Sequence, residues 1–438
     1  MEPTGAMHEV GVDELFFSTT DSKGIIEKSN SVFTRLSRYS HEQLMGAPHN
    51  IIRHPLMPGG AFYAMWSTLE AGKPFAAYVH NLAADGSRYD VFATITPMRN
   101  GGYLSVRARP MVQELFAAAD GIYAEAFDTE LRERNKGANR HEAAVIGAGL
   151  IGQLLAEAGF ASYDEFMFAA LPAEVAAREA ASAGLPRRDD AWGEEANMLR
   201  TVQFIFGELD AWMHRMNELA DLSQKLQETS NALTHQASTD PIPPALAFTL
   251  EHPDLAIVKQ TVDVWRQMQI MINGYLSQLA SSLKNLRTAV AQNRFQIALS
   301  RLHTTMLATF LAEVIDGGAE THGKNQEEIE LLREALEDGV QQMTTSQREL
   351  HDLLEKAVTA LDSAIRMLAI PQQMTPIVQA QAPLLPENAR VLIPTIVETI
   401  EGVGSTMNDM LALADSCKQH TEADTGHLIE LVGYLTEN

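Results

Sequence analysis

Beyond residue 209 the chain is organised by apolar residues that return every three or four positions. One set is Leu209, Trp212, Met216, Leu219, Leu226 and Leu233, and a second is Ile272, Leu276, Leu279, Leu283, Leu286 and Val290. Two more follow: Leu354, Val358, Leu361, Ile365 and Leu368, then Ile396, Ile400, Val403, Met407, Met410 and Ala414. Such spacing lays each set along one stripe of an α-helix and requires a second apolar surface to cover it, as in helical bundles and coiled coils. Stripes this long favour a homodimer, although a bundle within one chain satisfies them equally. Proline-marked breaks are expected at "STDPIPPAL" (238–246) and "PQQMTPIVQAQAPLLPENARVLIP" (371–394). Residues 118–200 carry shorter helical patterns, with breaks expected near Leu171–Pro172 and at "AGLPRRDD" (183–190).

The first hundred residues obey a different period. Runs rich in β-branched and aromatic residues, "LFFSTT", "FAAYVHNL", "RYDVFATITP" and "GYLSVRAR", are separated by turn signals at Asp21–Gly24, Asp85–Gly86 and Asn100–Gly102. Asp-Gly and Asn-Gly favour the left-handed backbone of tight hairpins, so the last three runs read as consecutive antiparallel strands. Residues 31–72 carry short helical patterns instead. The expected fold is α+β, a five-stranded antiparallel sheet with helices over one face, followed by an all-α long-helix region. The division this suggests is an N-terminal tail (1–12), a sheet domain (13–112), a helical linker or subdomain (113–245) and a long-helix bundle (246–438).

Charge is as uneven as periodicity. The net charge is −24. Residues 1–116 hold 10 Lys and Arg against 11 Asp and Glu, so nearly all the acidic excess lies in the helical part, on solvated helix faces. A chain so acidic repels nucleic acid backbones, which argues against a nucleic acid partner. Cys417 is the only cysteine, which excludes an intramolecular disulfide and any multi-cysteine metal site and fits a reducing cytoplasm. The most apolar stretch, "AAVIGAGLIGQLLAEAG" (143–159), is short and interrupted by Gln153 and Glu157, so no transmembrane segment is expected. The first residues lack the basic and apolar regions of a secretory signal, and a cytoplasmic protein is expected.

Within that stretch, "VIGAGLIG" (145–152) matches the G-x-G-x-x-G of dinucleotide-binding turns. Its lead-in is charged and helical in pattern and no second strand follows, so helix packing explains it better than a phosphate cradle. No nucleophile elbow, phosphate-binding loop or zinc-protease motif is present. His303, His322, His351, His420 and His427 are scattered among acidic helical stretches and are read as exposed. No catalytic site is expected.

One segment does concentrate polar chemistry. "GAPHNIIRHPLMPG" (46–59) holds two His, one Arg and one Asn between Pro48 and Pro58. Phe62 and Trp66 follow four residues apart on one helical face and suit an aromatic ligand. His80 or Asn81, at the end of the next strand run, can hydrogen-bond a heterocycle edge. Arg53, His49 and His54 offer positive charge to a phosphate or diphosphate. These residues describe either a ligand pocket or a polar loop beside an ordinary core.

Residues 13–110 resemble the PAS domain of bacterial aerotaxis receptors. The resemblance rests on "STTD" (18–21), "YSHEQLMGAPHNIIRHPLMP" (39–58), "AFYAMWSTL" (61–69), "GKP" (72–74), "VHN" (79–81), "DG" (85–86) and "PM" (97–98). It implies a PAS sensor domain that holds FAD non-covalently and reports redox state or oxygen, with Arg53, His54, Trp66 and Asn81 as flavin contacts; the side-chain chemistry above adds His49, Phe62 and His80 as candidate contacts. Leu56 stands where the family motif usually has an acidic residue, and Phe75 where a Trp is common. A haem held by His49, His54 or His80, or a cofactor-free pocket used for protein contact, is the alternative. The C-terminal half resembles chemoreceptor signalling hairpins more distantly, with residues 290–314 where a hairpin tip would lie. The hallmark tip sequence of that family is absent, which implies a diverged helical output toward a signalling partner that the sequence does not name.

Overall fold

The computed structural model describes residues 2–240, 255–317, 326–385, 387–421 and 426–437. Five strands form one antiparallel sheet: β1 (Phe16–Thr20), β2 (Ile26–Ser29), β3 (Phe75–Leu82), β4 (Arg88–Pro97) and β5 (Tyr103–Ala108), in the spatial order β2-β1-β5-β4-β3. Both expected hairpins are present, and each turns on a glycine at positive φ. Gly86 (φ 81°) lies between β3 and β4, and Gly101 (φ 84°) between β4 and β5. Between β2 and β3 run α1 (Ser31–Ser37), α2 (His41–Leu44), a 3-10 turn (His49–Ile52) and α3 (Gly59–Glu70). Asn30 caps α1, and Ser40 with Gln43 forms a capping box on α2, so polar residues at the loop ends set where these short helices begin.

Helices continue with α4 (Gln113–Asn135), α5 (Arg140–Glu157), α6 (Tyr163–Ala181), α7 (Glu194–Ala237), α8 (Ala256–Gly317), α9 (Gln326–Gln381), α10 (Glu387–Arg390), α11 (Leu392–Thr421) and α12 (Gly426–Glu437). The break expected at Leu171–Pro172 does not occur, because Pro172 lies inside α6. A proline there removes one backbone hydrogen bond, but Phe166, Leu171 and Val175 are all buried, and packing outweighs the local cost. Pro371 and Pro376 likewise lie within α9, beside buried Leu368 and Val378, and the break expected over 371–394 falls inside that stretch, at a 3-10 turn over Ala382–Leu384. At the other expected break α7 stops at Ala237, and residues 241–246 lie outside those described.

The chain divides into two compact units, neither contiguous in sequence. The first comprises Met1–Met213, Arg294–Met343 and Thr425–Asn438, and the second His214–Asn293 and Thr344–Asp424. In the first, α4, α6 and the distal part of α8 cover one face of the sheet. Tyr78 meets Phe116 and Phe166 edge-on or tilted, and Phe17 meets Phe310 with ring centroids 5.4 Å apart. Residues 290–314, expected near a hairpin tip, are interior helix here, and residues 318–325, between α8 and α9, lie outside those described. His303, expected on a surface, is buried in α8.

The second unit is built from parts of α7, α8, α9 and α11. Its seams close on themselves: Leu226, Leu283, Leu354 and Ile400 are each fully buried. Thr406 of α11 donates to Gln236 of α7 at 3.2 Å, and His420 lies 3.2 Å from Glu218. A second copy is not needed to cover these stripes. Among the described residues no helix is long and apolar enough to cross a membrane.

Candidate functional site

The polar segment 46–59 is held at both ends by the sheet. Ala47 accepts from the Ile26 amide, the His49 amide donates to Gly24, and the His54 amide donates to His80 of β3. Gly24 (φ 78°) allows this close approach, since a Cβ there would sit 2.7 Å from His49 Nδ1 and 3.3 Å from the Trp66 ring. The 3-10 turn therefore crosses the sheet's open face as the rim of a cavity.

That cavity, with its open mouth included, encloses about 650 Å³ of atom-free space. Strand alternation supplies its floor: Ser18, Val79, Asn81, Ala93, Ile95, Tyr103, Ser105 and Arg107 all point inward. Helical spacing supplies its roof, with Phe62, Met65, Trp66 and Leu69 on one face of α3. Trp66 meets Tyr103 edge to face at 5.5 Å and His49 at 5.6 Å.

Two cations face this apolar space. The Arg53 guanidinium lies 3.9 Å above the Phe62 ring and donates to the Met57 carbonyl at 2.8 Å. Arg107 is buried, donates to Ser18 Oγ at 3.0 Å and lies over the Phe33 ring. Among the described residues neither forms an ion pair with a carboxylate. Burial pushes Arg107 down to about 10 and lowers Arg53 and His49 as well, the Gly24 carbonyl partly opposing the shift at His49. Asn81 is 2% exposed and its amide Nδ2 has no partner. An unpaired buried donor and two guanidinium groups without a carboxylate ion pair among the described residues suit a ligand with carbonyl acceptors and negative charge.

Of the residues singled out from sequence, His49, Arg53, Phe62, Trp66 and Asn81 come together at this cavity. His54 and His80 do not line it. His80 alternates with Asn81 and faces the opposite side of the sheet, where Nδ1 lies 2.7 Å from Asp90 and Nε2 2.8 Å from Asp120 of α4. Arg88 completes the cluster at 2.7 Å from Asp90. Burial raises Asp90, but hydrogen bonds with His80 and Arg88 outweigh it and hold the carboxyl below its usual range. Burial, reinforced by Arg88 and His80, lowers His54. Leu56 is 53% exposed and outside the cavity.

Sequence reading missed Arg107, Tyr103 and Ser105. The signal was available: alternation in "GYLSVRAR" puts all three on one face, and an inward arginine in a buried strand needs a reason.

A comparison with family models finds no match. The chain is 36% identical over 146 residues to the aerotaxis receptor of Escherichia coli (strain K12), covering 32% of this chain and 28% of the receptor. It is 32% identical over 83 residues to the nitrogen fixation regulatory protein of Klebsiella pneumoniae, covering 19% of this chain and 17% of that protein. This chain thus spans less than a third of the length of either relative. Among solved structures, a fungal LOV domain photoreceptor matches 25% of the chain and 81% of its own at 20% identity and a TM-score of 0.20. A point variant of RsLOV matches 33% and 88% at 16% identity and a TM-score of 0.22. The sheet and the helices that roof its cavity are a PAS domain, homologous to part of an aerotaxis receptor and followed by a long helical region.

Proposed function

We propose that this chain is a sensory signal-transduction protein whose PAS cavity holds FAD and passes its redox state, or oxygen acting through it, to the helices. The observation that carries the reading is the pairing of aromatic walls with polar groups: Trp66, Phe62 and Tyr103 beside the orphaned Asn81 amide and the Arg53 and Arg107 guanidinium groups, which among the described residues form no ion pair with a carboxylate. When bound, a flavin supplies reversible electron uptake, which changes the charge and hydrogen-bonding of its ring system. Asn81 would donate to a ring acceptor, Trp66 and Phe62 would cover the ring faces, and the two guanidinium groups would balance negative charge on the ring or the diphosphate. The apolar walls of the cavity strengthen each of these polar contacts. Resemblance to aerotaxis-receptor PAS domains supports flavin over other ligands of that chemistry. Similarity to an aerotaxis receptor and to a nitrogen fixation regulatory protein supports reading the chain as a sensor and not as an enzyme.

An absorption spectrum of the purified full chain tests this. Flavin bands that respond to dithionite and air are expected. A Soret band would replace the flavin with haem at His49, and a colourless folded protein would leave the PAS domain as an interaction module.

A further inference from the structure

The cavity roof is tied to the helical region by one buried carboxylate. Glu130, on α4, is 8% exposed and accepts two backbone hydrogen bonds from the first turn of α3, Oε2 from the Gly59 amide and Oε1 from the Gly60 amide, each at 2.7 Å. These amides have no partner within α3, whose preceding residue, Pro58, has no side-chain acceptor. An anion supplied by another helix therefore caps α3 in place of its own sequence.

Nothing at this junction has slack. A Cβ on Gly60 would lie 2.3 Å from the Ala148 amide nitrogen of α5, and one on Gly147 would lie 2.1 Å from Glu130 Oε1. Three helices thus meet at van der Waals contact around a bidentate acceptor. Phe62 and Trp66, the residues over the cavity, lie two and six residues beyond Gly60, within two turns of the capped amides.

The start of α4 is anchored separately. Glu174 of α6 accepts from the Met111 and Val112 amides at 2.6 and 3.0 Å and from the Tyr78 hydroxyl at 2.7 Å. Between the two anchors, Asp120 of α4 reaches His80, the neighbour of Asn81 in β3. Both walls of the cavity, α3 and β3, therefore end on α4.

We propose that Glu130 is the positioning residue that couples the cavity to the helical region: when the cavity's occupant shifts α3, the capping carboxylate carries α4 with it. The signal would come from the flavin proposed above, but the coupling is a property of the chain and is testable without it.

The test is hydrogen exchange on the full chain, following α3 and residues 120–131 of α4, with Trp66→Ala as the perturbation of the cavity. In the parent chain Trp66→Ala is expected to change exchange in both segments. In a Glu130→Gln background the α3 change persists while the α4 change falls by about threefold or more. Glu130→Gln alone should speed exchange at Gly59 and Gly60 by about tenfold, because an amide side chain offers one acceptor oxygen in place of two. Glu130→Asp, which keeps the charge and loses reach, serves as a second variant should Glu130→Gln not fold, and the same loss of the α4 response is expected. Glu133→Gln, one turn on and paired with Lys136 at 2.7 Å instead of with α3, should leave the response intact. An α4 response that survives both Glu130 variants, or is absent from the parent, overturns the proposal. A colourless protein with an intact response would overturn the flavin reading alone.

Discussion

Arg107 donates a 3.0 Å hydrogen bond to Ser18 across the β5–β1 pair and, among the described residues, forms no ion pair with a carboxylate. A buried cation without a counter-ion costs stability in the free protein and is useful only when something negative enters beside it. Arg107→Met should therefore stabilise the ligand-free chain by about 1–3 kcal/mol and at the same time weaken flavin retention. Thermal melts of ligand-free protein and the flavin-to-protein absorbance ratio check the two halves. Loss of stability together with unchanged retention would show that Arg107 is only a packing residue.

Asn81 makes the complementary case with a neutral group. Asn81→Ala removes a donor that has no partner in the free chain, so folding should change by less than about 1 kcal/mol. Retention of flavin should drop in Asn81→Ala and in Arg53→Ala. Leu56→Asp should leave it unchanged, because Leu56 is half exposed and outside the cavity. Equal occupancy in Asn81→Ala, Arg53→Ala and the parent chain would refute the assignment of the site.

Two glycines, one in "VIGAGLIG" and one in its neighbour helix, should respond oppositely to alanine. Gly60→Ala puts a Cβ 2.3 Å from the Ala148 nitrogen and should destabilise the first unit by about 3 kcal/mol or more. Gly149 of α5 has nothing within 4 Å of its added Cβ, so Gly149→Ala should stabilise by up to about 1 kcal/mol through helix propensity. Urea denaturation of both variants is sufficient, and similar effects from the two would contradict the close α3–α5 approach.

His303 should impose a pH dependence on folding. It is fully buried, neither ring nitrogen has a partner, and burial pushes it down to about 4. With the folded value below the unfolded one, the unfolded chain takes up the proton first as pH falls. The stability is fully present above about pH 6.5 and is lost progressively toward pH 4, reaching a loss of about 2 kcal/mol at pH 5. Replacing it with leucine should reduce the stability difference between pH 7 and pH 5 by that amount, measured by urea midpoints. An unchanged difference would mean that the ring finds a proton acceptor in the fold.

Local chemistry made much of the fold legible. Asp85–Gly86 and Asn100–Gly101 announced their hairpins because only a few residues tolerate the left-handed backbone such turns require. The prolines were less informative. Pro172, Pro371 and Pro376 stay inside helices because buried neighbours on both sides outweigh one missing hydrogen bond. At the site, side-chain chemistry picked out His49, Arg53, Phe62, Trp66 and Asn81, which line the cavity, together with His54 and His80, which do not, and passed over Arg107, whose lack of a carboxylate partner among the described residues is a tertiary property.

Periodicity alone determined that this chain would pair a short-stranded sheet with long amphipathic helices, since a period of two or of 3.6 residues commits each segment to the face it must bury. Only the tertiary structure decided which surfaces cover those faces. It closed the long seams within one chain, turned His80 away from the cavity that Asn81 enters, and brought Glu130 to the start of α3, 70 residues earlier in the chain. Contacts between distant segments leave no local pattern, because the energy that selects them comes from burial and pairing after the chain has folded back on itself.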